Sequence, residues 1–209
     1  MKALIPLISC GLLQIPGVWA GTLVVAVQTS NGRPLAGAVI TLHSVAGNDH
    51  PGVPVTAVMD QVNRTFVPDL LVIPAGSTVA FPNSDSVSHQ IYSFSPARKF
   101  QLPLYRGKPY PPVNFDQAGL VTLGCNIHDS MLAYVLVTDA PYFGRTDATG
   151  SWSVEASQGT YQVSVWQPRM DETLRKEVTI DADRSNLTVR LTRALKPAPL
   201  DGRHSWDAY

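Results

Sequence analysis

The chain has 209 residues, of which 44% are hydrophobic and 15% charged, enough for one large hydrophobic core or two smaller ones. Its 16 basic and 16 acidic side chains give a formal net charge of zero, so it lacks the basic excess typical of nucleic-acid-binding proteins. The low charged fraction, with 15 glycines and 17 prolines, favours a β-rich protein with many turns.

Residues 1–20 predict a cleaved secretion signal. Lys2 supplies a positive charge, residues 3–13 are apolar, and Val18 and Ala20 stand at the −3 and −1 positions of a peptidase site. The apolar segment is too short to span a membrane, so no stable membrane span is expected. The pattern predicts an exported, periplasmic protein.

Removal of this segment leaves one of the two cysteines. Cys10 lies within the signal, and Cys125 remains in the mature chain. In an oxidising compartment thiols normally pair. A lone cysteine there is a buried hydrophobic residue, an intermolecular disulfide partner or a metal ligand.

Short strands separated by turn signals follow, and no segment has a sustained helical period. This pattern predicts an all-β fold with β-sandwich architecture. The predicted strands are, in chain order, residues 23–27, 38–42, 55–60, 70–73, 78–81, 90–94, 120–124, 132–137, 151–155, 161–166, 176–180 and 187–191.

A C-x2-H-x2-M motif, formed by Cys125, His128 and Met131, lies between two of these strands. A short loop joining two strands can bring a thiolate, an imidazole and a thioether to one point. Soft thiolate and thioether ligands suit Cu(I), whereas imidazole suits both oxidation states of copper. A second histidine is needed, and His89 follows a strand whose start is Gly76. His43, His50 and His204 match no motif and are expected at the surface.

Residues 66–89 and 124–131 resemble the two ligand regions of the cupredoxin family, with the short ligand loop found in amicyanin. The resemblance implies a Greek-key β-sandwich and one type 1 copper per chain. It implies His89 and His128 as imidazole ligands, Cys125 as thiolate and Met131 as axial thioether. Many members have Asn directly after the first histidine, whereas this chain has Gln90. Four residues are expected to form the dry shell of the site: Phe81, Tyr92, Phe94 and Ile127.

Residues 23–42 resemble the opening of a carboxypeptidase regulatory-like (transthyretin-like) β-sandwich, with the turn Gly-Arg-Pro-Leu-Ala-Gly-Ala. The Thr-Asp-x-x-Gly turn and Gly-x-Tyr strand of that family follow only at residues 146–150 and 159–161. The intervening stretch is about the size of a domain.

This spacing predicts that a cupredoxin domain of residues 51–138 is inserted into a smaller, discontinuous sandwich. The latter would comprise residues 21–50 and 139–195, followed by a tail of residues 196–209. The alternative is a contiguous pair of domains, in which residues 21–42 provide the first strands of the copper sandwich.

The resemblance to cupredoxins implies single-electron transfer between redox proteins, such as a c-type cytochrome or a dehydrogenase, and no enzymatic activity. Residues 92–96 and 123–129 also resemble bacterial cupredoxin-like proteins labelled as methylamine-utilisation proteins. An oxidase or nitrite reductase would need His-x-His motifs, and the sequence has none.

Two other functions remain open. Copper storage or delivery usually requires clusters of Met or His, whereas only three methionines follow residue 20. A metal-free adhesive or carbohydrate-binding sandwich could instead use a platform of Trp152, Tyr161 and Trp166.

Overall fold

A computed structural model of the chain describes residues 20–47, 49–107 and 110–197. Nearly all of the predicted secretion signal, Cys10, His204 and most of the predicted tail therefore lie outside the described residues. The described ranges contain strands, turns and loops but no helix, and the all-β fold class is confirmed.

The strands are short, as the frequent turn residues predict. In chain order they are β1 (Ala20–Gln28), β2 (Val39–Ser44), β3 (Thr56–Val58), β4 (Asp60–Val62), β5 (Thr65–Val67), β6 (Leu70–Pro74), β7 (Ser77–Ala80), β8 (His89–Ser93), β9 (Phe100–Tyr105), β10 (Val113–Phe115), β11 (Gly119–Cys125), β12 (His128–Thr138), β13 (Tyr142–Arg145), β14 (Ser151–Ser157), β15 (Gly159–Trp166), β16 (Leu174–Ile180) and β17 (Arg184–Arg190).

The middle of the chain forms a sandwich around one hydrophobic core. A five-stranded sheet in the order β6-β12-β11-β8-β9 faces a three-stranded sheet in the order β10-β7-β3, and β4 and β5 form a separate hairpin. Alternate residues along the strands point inward, as expected when one sheet face is buried against another. The core they form includes Phe81, Ile91, Phe115, Leu123 and Val135.

The two ends of the described chain form a second sandwich. Strand β1 pairs antiparallel with β14 and parallel with β17. Strand β2 lies between β13 and β15, and β16 completes that four-stranded sheet. Within the described ranges neither β1 nor β2 is hydrogen-bonded to a strand of the middle sandwich. Residues before β3 and after β12 thus share a core of their own, which includes Leu23, Ile40 and Val163.

The two sandwiches contact each other through the outer face of the five-stranded sheet. Leu70 is buried against Val39 of β2, with Tyr134 and Trp166 packed beside them. The Tyr134 and Trp166 rings meet edge to face, with their centroids 5.9 Å apart. Strand β12 is therefore covered on both faces, which explains why residues 132–137 are a continuous apolar run rather than an alternating one.

The strand predictions were incomplete where strands are short or lie at sheet edges. Strands β5, β9, β10 and β13 were not predicted, and β9, β10 and β13 are edge strands. Strand β9 contains Pro103, which has no backbone N–H. An edge strand tolerates proline because only one of its two sides is hydrogen-bonded to another strand. The single strand predicted at residues 55–60 is two strands. The chain changes partner at Met59, since β3 pairs with β7 and β4 pairs with β5.

Candidate metal centre

A tight connection between β11 and β12 brings Cys125 and His128 together. The ladder runs from Gly119↔Val137 to Gly124↔Leu132, and the register then shifts so that Cys125 lies opposite His128. Only Asn126 and Ile127 separate the paired residues, whose side chains lie on the same face because directly opposed residues share a face. The shift leaves residues 129–131 as a bulge, a device that re-aims side chains near functional sites.

The neighbouring strand β8 supplies His89. Strand β8 pairs antiparallel with β11, and Ile91 lies opposite Cys125. Because residues two apart in a strand share a face, His89 and Ile91 both point into the core on the side of Cys125. Ile91 and His89 are fully buried, and Cys125 is 4% exposed and forms no disulfide.

Three donor atoms converge at this point. The Nδ1 atoms of His89 and His128 are 3.1 Å apart, and the Cys125 Sγ lies 3.8 Å from the first and 3.7 Å from the second. The circle through these three atoms has a radius of about 2 Å, close to the ~2.0–2.3 Å of metal–imidazole and metal–thiolate bonds. The three residues thus fit one metal ion in a trigonal arrangement. In the described part of the chain they are the one group of His, Cys, Asp and Glu side chains with this potential.

Met131 lies in the bulge of β12, three residues beyond His128. Its side chain is 1% exposed and belongs to the same core as Cys125. The structure therefore buries the fourth predicted ligand near the strand ends that carry Cys125 and His128. Its role as an axial ligand remains a prediction.

Asp85 is a functional candidate that the sequence analysis missed. Its Oδ2 lies 3.0 Å from the His89 Nε2 and also accepts a hydrogen bond of 2.6 Å from the Arg64 backbone N–H. The Ser86 N–H donates to Oδ1 over 2.7 Å. The Arg64 hydrogen bond in the first place, with further contributions from His89 and Ser86, lowers the pKa of Asp85 to about 2 against the opposing effect of burial. A carboxylate four residues before a candidate ligand was the available signal.

The histidine rings are suited to bind a metal through Nδ1. Because the Asp85 carboxylate is ionised, the His89 Nε2 carries the hydrogen and donates it, which leaves the Nδ1 lone pair facing Cys125. Burial is the main cause that lowers the pKa of His128, and the neighbouring His89 and Arg64 side chains lower it further against the opposing effect of Asp85. His128 is therefore neutral at pH 7, the state that coordinates metals.

Two of the four residues predicted to form the dry shell are exposed. Phe81 is buried at 2% exposure, but Phe94 is 78% and Ile127 49% exposed, so the prediction was wrong for these two. Phe94 lies beyond the end of β8, and Ile127 is at the tip of the β11–β12 turn. The prediction was also wrong for Tyr92, which is partly buried but faces away from the core that contains Cys125, and its ring packs on Gly124. A side chain at position 124 would place its Cβ 2.8 Å from this ring.

The three aromatic residues considered as a sugar platform do not share a surface. Tyr161 is buried in the second core, Trp152 packs against that core, and Trp166 lies between the two sandwiches. Tyr161 and Trp166 are five residues apart in β15 and point to opposite faces. His43 is 37% exposed, and its ring contacts Asp49 and Asp139.

No family model and no curated protein matches the chain. Among solved structures, it is similar to a purple cupredoxin from Nitrosopumilus maritimus, with 26% identity and a TM-score of 0.35 over 39% of this chain and 99% of that chain. It is also similar to a copper-containing nitrite reductase from Thermus scotoductus SA-01, with 28% identity and a TM-score of 0.37 over 41% and 22% of the two chains. A reduced amicyanin variant is 19% identical, with a TM-score of 0.36 over 49% and 99%. Each similarity covers less than half of this chain.

No helix in the described ranges is long and apolar enough to cross a membrane.

Proposed function

We propose that this chain is an exported type 1 copper protein that transfers single electrons between periplasmic redox partners. The observation that carries the proposal is the triangle of His89 Nδ1, Cys125 Sγ and His128 Nδ1, with sides of 3.1, 3.7 and 3.8 Å. Two imidazoles and a thiolate in a plane, with a weak axial thioether, form the donor set of blue-copper sites. Met131 is the proposed axial ligand.

The protein's contribution is a rigid set of donor atoms. Bound copper would supply the one-electron couple. The three donors lie on adjacent strands β8, β11 and β12 of one sheet, and their side chains are anchored in a close-packed core. Such a scaffold resists movement of the donors, so little rearrangement would accompany a change of oxidation state.

His128 is the proposed point of electron entry and exit. It is partly exposed, whereas His89 is fully buried and Cys125 is 4% exposed. The exposed Ile127 beside it offers apolar contact area at the end of the sandwich. Redox partners usually dock briefly through small interfaces. A c-type cytochrome or a dehydrogenase is the proposed class of partner.

The division of the chain is part of the proposal. The copper-binding unit comprises residues 51–138, and residues 21–50 and 139–195 form the carboxypeptidase regulatory-like sandwich into which it is inserted. Pairing of β1 with β14 and β17 supports this division, as do the two separate cores. The contacts between Leu70, Val39 and Trp166 would hold the two units in a fixed relation.

Repeated redox cycling distinguishes electron transfer from copper storage. The copper-loaded protein should pass through repeated anaerobic reduction by ascorbate and oxidation by ferricyanide, with its visible absorption fully restored each time. Copper should stay bound when a Cu(I) chelator is present. Loss of copper to the chelator on reduction would instead favour storage or delivery, and failure to bind copper would favour a metal-free sandwich.

A further inference from the structure

A partly buried carboxylate lies directly behind the first histidine of the metal centre. The Asp85 Oδ2 is 3.0 Å from the His89 Nε2. The other nitrogen of this ring, Nδ1, is the one that faces His128 and Cys125. The His89 side chain is fully buried and that of Asp85 is 9% exposed. Water is therefore a poor competitor for this hydrogen bond, and the low local dielectric strengthens it.

Backbone groups from two segments hold this carboxylate in place. The Ser86 N–H lies on its own loop, and the Arg64 N–H comes from the turn between β4 and β5. Asn83 Oδ1 accepts the Asp85 N–H over 3.0 Å and so fixes the start of the loop. Asp85 thus has little freedom to leave His89.

The turn that contacts Asp85 has an unusual backbone. Asn63 and Arg64 have φ of 51° and 59°, the left-handed conformation required at both central positions of a two-residue type I′ hairpin. Asn adopts it readily, whereas Arg at such a position is strained by roughly 1–3 kcal/mol. The surrounding structure compensates for this strain, and the conformation aims the Arg64 N–H at Asp85.

We propose that Asp85 is a positioning residue that fixes the Nε2–H tautomer of His89 and increases electron donation by its Nδ1, thereby favouring Cu(II) over Cu(I). This inference rests on the proposed copper function. A carboxylate that accepts the second N–H of a metal-bound histidine raises the basicity of that ligand. Its negative charge also stabilises the more highly charged oxidation state of a nearby ion. Both effects lower the reduction potential.

Asp85→Asn tests the proposal, because Asn keeps the size and an acceptor oxygen but removes the charge. Loss of such a partner typically weakens metal binding by about 10–100-fold. We expect this loss for Cu(II) and a smaller one for Cu(I). Each factor of ten in the affinity ratio raises the potential of a one-electron couple by about 59 mV.

Asp60→Asn is the matched control. Asp60 belongs to the same region and accepts hydrogen bonds from the Ser84 N–H and hydroxyl at 3.1 and 2.7 Å. No described hydrogen bond or ion pair joins it to His89. We expect less than a twofold change in the Cu(II)/Cu(I) affinity ratio for this variant. Equal changes of the Cu(II)/Cu(I) affinity ratio in the two variants, or no change of this ratio in Asp85→Asn, would overturn the proposal.

A second measurement needs no copper, and its wild-type result tests the proposal without any variant. Nitrogen-15 NMR of the metal-free wild-type protein at pH 8 should report His89 in the neutral Nε2–H tautomer, and Asp85→Asn should mix the two tautomers. A wild-type Nδ1–H tautomer would overturn the proposal. This readout separates the two claims: a protein with the expected tautomer that binds no copper would contradict the copper function and leave the role of Asp85 in orienting His89 supported.

Discussion

Cys125→Ser is expected to remove the coloured copper site while preserving the fold. The thiolate provides the charge-transfer band of a type 1 site, and neither a hydroxyl nor the two histidines can replace it. Copper should bind more weakly and give a pale protein, because a hydroxyl is a harder and less basic ligand. The strands that carry His89 and His128 should keep their positions, since the core packs around them.

The same substitution has a cost in stability that follows from the site's geometry. The sulfur is already 3.7 and 3.8 Å from the two histidine nitrogens, and the shorter C–O bond places a serine oxygen still farther away. At a position 4% exposed, the hydroxyl is left without a hydrogen-bond partner. Burial of an unsatisfied polar group costs about 1–3 kcal/mol.

Cys125→Ala is the control for this cost, because it also removes the thiolate but introduces no polar group. Denaturant unfolding of the metal-free proteins should show Cys125→Ser to be less stable than Cys125→Ala by about 1–3 kcal/mol. Visible spectra of the copper-loaded variants complete the comparison. An intense visible band in Cys125→Ser, or equal stability of the two variants, would refute the reasoning.

Three further predictions concern the axial ligand, the strand packing and the division of the chain. Met131→Gln should keep copper bound and lower its reduction potential, because an amide oxygen is a harder ligand than a thioether. The expected decrease is about 59 mV or more, which corresponds to a tenfold change in the Cu(II)/Cu(I) affinity ratio. An unchanged potential in voltammetry would mean that Met131 is not axial. Gly124→Ala should lower the free energy of unfolding by at most about 1 kcal/mol, because the added Cβ meets only the outer end of the Tyr92 ring, and by less in a Tyr92→Ala background. Equal losses in both backgrounds would exclude this contact as the cause. A fragment of residues 51–138 should fold and bind copper, and residues 21–50 joined to 139–195 by a short Gly-Ser link should fold without colour; an unfolded fragment beside a blue fragment of residues 21–138 would favour contiguous domains.

The converging residues of the site could be predicted from the sequence because their chemistry is unusual in combination. A lone cysteine three residues before a histidine, between two apolar strands, has few structural explanations in an exported chain. His89 was found because the ligand set required a second imidazole. Asp85 was missed because its role depends on the Arg64 N–H, which comes from a hairpin whose second strand was not predicted.

The fold class could be predicted because its two signals, the alternation of apolar and polar side chains and the turn residues, can be recognised in short segments of the sequence. The contacts between the two sandwiches could not be predicted. The continuous apolar sequence of residues 132–137 predicts a buried strand, but it does not predict which residues cover the second face of that strand. The exposure of Phe94 and Ile127 follows from their positions beyond a strand end and at a turn tip, whereas apolar character alone predicted burial. Whether such a residue is buried depends on where the strand ends, and a shift of that end by one or two residues decides it.

The visible and electron paramagnetic resonance spectra of the purified, copper-loaded protein test the central claim most directly. His89, Cys125 and His128, with Met131 as axial ligand, predict one copper per chain, an intense thiolate-to-Cu(II) band in the visible and the narrow copper hyperfine splitting of a type 1 site. A colourless protein, or a spectrum with the wide splitting of tetragonal nitrogen and oxygen ligation, would contradict it.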